Sequence, residues 1–208
     1  MPLDFLVSAF VTLLVVVDPL GLAPTFLAVT SGLPARARRH VGLRAPLIAG
    51  AILIGAALLG QWLLTRLGIS LPAFRIAGGL LLFYIAFEMI FELRPQRKKA
   101  FANDAMTIDH IRNVAAFPLA IPLMSGPGSV TAAMLLAGRA GGDWKALTGL
   151  LIIIALVMLL SYFVFLMAEG VSRLLGTTGN IVLTRMLGLV LAALAVQFVI
   201  DGILTVGK

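Results

Sequence analysis

Six apolar stretches occupy almost the whole chain, at about 4–30, 44–65, 70–91, 113–138, 146–168 and 181–204, and charge is concentrated in the gaps between them. Each is long enough to cross a bilayer, since a spanning helix needs about 20 mostly apolar residues. Inside lipid every backbone N–H and C=O must be satisfied within the protein. Continuous apolar runs, which lack the alternation of barrel strands, therefore form helices. The 208 residues are 61% hydrophobic with a mean hydropathy of +1.09, too little polar surface for a water-soluble globule of this size. The expected fold is an all-α polytopic membrane protein, one transmembrane domain over 1–208 with six transmembrane helices and the lipid bilayer as its solvent.

The gaps are rich in turn formers and charge, and only the one containing LRPQRKKAFANDAMTIDHIR is long. Eleven of the sixteen Lys and Arg fall on one side of this scheme, including Arg36, Arg38, Arg39, Arg44 and Arg94. Arg66, Arg75, Arg139, Lys145 and Lys208 fall on the other. Cytoplasmic loops carry such an excess, so the 31–43 and 92–112 loops are expected in the cytoplasm and both termini outside it. The first stretch lacks a basic n-region and an A-x-A-like cleavage site, so it is read as part of the mature protein. The net charge of +7 is accounted for by this bias, and no aromatic-interleaved basic face suggests nucleic acid. Cysteine is absent, which excludes disulfides, thiolate nucleophiles and cysteine metal sites.

The two halves of the chain share spacings. VVVDPLGLAPTF in the first stretch contains Pro19 and Pro24, and LAIPLMSGPGSV in the fourth contains Pro122 and Pro127 at the same separation. Arg75 precedes Gly78 by three residues in the third stretch, as Arg185 precedes Gly188 in the sixth. Halves 1–92 and 113–208, joined by the loop 93–112, would then be copies of one unit. Three spans per unit make the second copy enter the membrane the opposite way up, the inverted repeat common among secondary transporters.

Proline removes a helix donor and glycine lowers the cost of leaving helical geometry. Helices one and four are thus expected to be discontinuous, around Asp18, Pro19, Gly21 and Pro24 and around Pro122, Gly126, Pro127 and Gly128. Freed backbone groups cannot face lipid, so the breaks should meet in the interior. Bare amides at a half-helix N-terminus attract a carboxylate, and carbonyls at the facing end attract a cation. An amino acid carboxylate could rest near Gly126 to Ser129, with Asp18 taking the ammonium group or a coupling proton or sodium ion. Thr25, Ser125, Ser129 and Thr131 offer uncharged hydroxyls. An ionisable group near the bilayer centre is a functional candidate by default; Asp18 would also cap a helix beginning at Pro19. Glu88 and Gln197 lie deep enough to line a pathway, whereas Arg66, Arg75, Glu92, Glu169 and Asp201 are expected to snorkel to the interface.

Enzymatic signatures are missing. His40 and His110 sit in loops, leaving no intramembrane Ser/His pair or histidine metal cluster. No G-x-x-x-x-G-K-[ST] occurs, so ATP-driven transport would need another subunit. Neither enzyme activity nor a cofactor or metal is expected, apart from coupling to sodium or protons.

DPLGLAPTF at 18–26, GISLPAFRIAGGLLL at 68–82, FPLAIPLMSGPGS at 117–129 and VQFVIDGI at 196–203 together resemble the MarC family of bacterial membrane proteins over nearly the whole chain. The resemblance implies a six-span, multi-pass protein of the inner membrane, with some relatives described as neutral amino acid transporters. Many members carry asparagine where this chain has Asp18. The leading expectation is a secondary transporter of a small neutral solute, such as alanine or glycine, working by alternating access. A structural or assembly-type membrane protein and a passive channel are the alternatives. Gly55 to Gly60 and Gly78 with Gly79 permit close helix packing or a homo-oligomer.

Overall fold

A computed structural model describes residues 3–93 and 114–206. All but Leu93 of the expected connecting loop, with the basic residues Arg94 to Lys99 and His110, lies outside the described residues. Among the described residues eight helical elements run in chain order: α1 (Leu3–Val17), α2 (Pro19–Val29), α3 (Ala35–Arg66), α4 (Leu71–Ile90), α5 (Ala115–Met124), α6 (Pro127–Arg139), α7 (Trp144–Leu166) and α8 (Ala168–Thr205). Five segments are long and apolar enough to cross a membrane: Leu3–Val29 as a jointed pair, α3, α4, α7 and Thr178–Thr205. The pair α5 and α6, bent by 57°, passes the same test only when its two helices are taken together as one broken span.

The first and fourth spans are broken where proline and glycine cluster, as expected. Elsewhere the boundaries differ. Helix α3 starts at Ala35, nine residues before the apolar run, because the charged ARARRHVGLR continues the same helix beyond the hydrocarbon. Gly176 (φ 57, ψ −171) divides α8, so a short segment from Ala168 precedes the sixth span.

Packing builds one core from both halves. Helices α4 and α8 run antiparallel in close contact along their length. A Cβ on Gly79 would lie 2.8 Å from the Ala195 carbonyl, one on Gly188 3.2 Å from the Ala86 carbonyl, and one on Gly202 3.0 Å from the Pro72 carbonyl. Small residues allow this approach, which drives helix association where lipid offers no hydrophobic gain. Helix α3 packs on α5, α6 and α7, while α7 packs on α1, α2 and α3. Helix α2 meets α8 as α6 meets α4. Swapping the first four elements for the last four reproduces most of these pairings.

Candidate functional site: two broken spans

Pro19 disfavours helical geometry at the residue before it, and Asp18 adopts the left-handed conformation, φ 54 and ψ 60. Asp and Asn enter this region several-fold more readily than other side-chain-bearing residues. The joint remains hydrogen-bonded: the Asp18 amide donates to the Leu14 carbonyl at 2.9 Å, and the Asp18 carbonyl accepts from Leu22 at 3.1 Å. Asp18 Oδ1 accepts the Gly21 amide at 3.0 Å, capping α2. Asp18 is 2% exposed.

The second break is looser. Phe117 (φ −132, ψ 127) and Ile121 (φ −121, ψ 123) are extended inside α5, each immediately before a proline. The Ser125 amide and hydroxyl both donate to the Ala120 carbonyl, at 2.9 Å and 2.8 Å. Gly126 lies against the Pro122 carbonyl, where a Cβ would be only 2.4 Å away. Helix α6 then starts at Pro127 with no side-chain cap. Proline has no N–H, so the amides of Gly128 and Ser129 are the uncapped donors of its first turn.

These breaks meet. A Cβ on Gly128 would lie 3.4 Å from Val16 Cγ1 and 2.1 Å from Ile85 Cδ1, so the start of α6 touches both α1 and α4. One turn before Val16 on the same face of α1 stands Thr12, fully buried, its hydroxyl without a hydrogen-bond partner among the described residues. Leaving a buried hydroxyl unmade costs about 1–3 kcal/mol. Sequence reading missed Thr12, since a lone threonine in an apolar run carries no distinguishing signal.

The other candidates divide. Asp18, Pro19, Thr25, Ser125, Gly128 and Ser129 are buried, and Gly21, Pro122, Gly126 and Thr131 are half-buried. Thr131 turns its methyl toward Gly78. Pro24 and Pro127 are exposed, so they shape their helices from the outer face. Glu88 is 4% exposed and stands two residues before the end of α4. Gln197 is exposed and donates to Asp201 Oδ1 at 2.7 Å, apart from the breaks.

The boundary charges are mostly paired. Arg38 meets Glu169 at 2.8 Å and Arg185 meets Glu92. Arg139 meets Asp201 and also stacks over the Phe198 ring at 4.1 Å. Arg75 reaches the Gly138 carbonyl at 3.5 Å. The first two pairs join residues assigned to the arginine-rich side; Arg139, Asp201, Arg75 and Gly138 gather at the opposite end. Among the described residues no cluster of three or more His, Asp or Glu is placed to hold a metal.

Broken membrane-crossing helices that bury an acidic residue and bare helix-start amides define a multi-pass integral membrane protein with a polar centre. The chain belongs to the MarC family of integral membrane proteins, which matches residues 3–206. It is 38% identical over 205 residues to a UPF0056 membrane protein of Methanocaldococcus jannaschii, covering 98% of both chains. It is 34% identical to one of Archaeoglobus fulgidus, covering 97% of this chain and 93% of the relative. The UPF0056 membrane protein YhcE of Escherichia coli is 36% identical over 194 residues, covering 93% of this chain and 89% of the relative. No solved structure matches the chain.

Proposed function

We propose that the protein is a secondary transporter of a small neutral solute, with a neutral amino acid such as alanine or glycine the best fit. The observation that carries this reading is the contact of the two breaks, where Gly128 meets Val16 beside buried Asp18 and unpaired Thr12. Bare amides of Gly128 and Ser129 suit a carboxylate, and a buried acidic residue suits an ammonium group. Small residues restrict the site to a small ligand. In this reading Asp18 also carries a coupling proton or binds sodium. The reading requires no cofactor and no enzymatic step.

In this account the halves are inverted copies, and alternating access rocks one against the other about the breaks. The exchange of packing partners between halves supports this. The arginine-rich side faces the cytoplasm of a plasma (inner) membrane, with both termini outside.

Purified protein in liposomes tests the reading. Labelled alanine or glycine should accumulate under a sodium or proton gradient and equilibrate without one. Absence of uptake under every gradient, in protein that remains monodisperse, would overturn it.

A further inference from the structure

Between α2, α3 and α7 on the arginine-rich side, a cavity of about 410 Å³ opens, lined by Phe26, Arg38, Arg39, Gly42, Tyr162 and Phe165 among others. Its floor is apolar: the Phe26 and Phe165 rings stack at 4.6 Å, 4° from parallel, and pack over Gly42. Its rim is cationic. Arg38 contacts Glu169, and its five-donor fork retains hydrogens for a second acceptor. The Arg39 guanidinium makes no ion pair and the Tyr162 hydroxyl no hydrogen bond among the described residues.

Below the rim the surface turns to lipid. Leu43 and Leu47 follow Arg39 at intervals of four, on one face of α3, and are 42% and 62% exposed. A cationic rim next to an exposed apolar stripe on the same helix matches a molecule with an anionic head and a long apolar tail. A small soluble anion would leave the stripe unused.

We propose that this cavity is a specific site for an anionic phospholipid. Its phosphodiester lies between Arg38 and Arg39, the Tyr162 hydroxyl donates to it, and an acyl chain runs along Leu43 and Leu47. Basic pockets between spans are suited to anionic headgroups, and the planar guanidinium matches phosphate geometry. The site is independent of the transport reading, since none of these residues belongs to the breaks.

Native mass spectrometry of the purified full chain tests the proposal, with phosphatidylglycerol, phosphatidylcholine or inorganic phosphate added. Phosphatidylglycerol should be retained in preference to phosphatidylcholine. Arg39→Gln should weaken that retention by about tenfold, the effect of losing a hydrogen bond between charged groups. Leu47→Asn should also weaken it. Arg36→Gln, an exposed arginine outside the cavity, should not. Equal retention of both lipids, an equal loss in Arg36→Gln, or binding of inorganic phosphate with full displacement of the lipid would each overturn the proposal.

Discussion

The Asp18 carboxylate lies across the α-carbon of Gly21, where Oδ1 accepts the Gly21 amide at 3.0 Å and a Cβ would lie 2.2 Å from Oδ2. The two residues hold the first break as a unit, and Gly21→Ala should disrupt it. Overpacking of this kind costs about 1–3 kcal/mol. Gly55, with nothing within 4 Å of a built Cβ, provides the contrast: Gly55→Ala should be neutral or slightly stabilising. Thermal unfolding in detergent distinguishes the two, and equal effects would contradict the packing at Gly21.

Left-handed backbone and a capping carbonyl oxygen are requirements that asparagine meets as well as aspartate. Asp18→Asn should therefore keep wild-type stability, while Asp18→Ala loses the cap and bears the left-handed cost, about 2 kcal/mol together. If the acid couples transport to protons or sodium, Asp18→Asn should retain solute binding and lose gradient dependence. Uptake by Asp18→Asn that still follows the gradient would assign coupling elsewhere.

Thr12→Val replaces an unpaired buried hydroxyl with a methyl of similar shape. Stability should stay the same or rise by about 1 kcal/mol. If that hydroxyl serves the solute, KM should rise severalfold in the same variant. A stability loss would mean that the hydroxyl is bonded in the fold.

Because cysteine is absent, single introduced cysteines report sidedness cleanly. Arg36→Cys and Arg173→Cys should react with an impermeant maleimide from the same face, since Arg38 and Glu169 are joined. Lys145→Cys should react from the opposite face. Labelling of all three from one side would break the topology.

Much of this was legible in the sequence. Proline at 19 and 122 cannot donate within a helix, so both breaks could be placed, and the apolar runs set four of the six spans to within two residues. The start of α3 was not legible, because charge marks the end of the hydrocarbon rather than the end of a helix. The sixth span begins at Thr178, earlier than its apolar run, for a similar reason, as the polar residues after the Gly176 break are already helical. Partners such as Arg139 with Asp201 are separated by 62 residues and follow only from packing. The left-handed turn at Asp18 was hidden too, since an Asp before proline also fits an ordinary cap.

Uptake of labelled alanine and glycine by proteoliposomes, comparing wild type with Gly126→Leu, tests the central claim most directly. A side chain at Gly126 must displace the Pro122 carbonyl 2.4 Å away and thereby disturb the start of α6. The account predicts saturable, gradient-driven uptake in wild type and its loss in Gly126→Leu protein that still inserts and elutes as one species. Uptake unchanged in that variant would contradict the assignment of the breaks as the solute site.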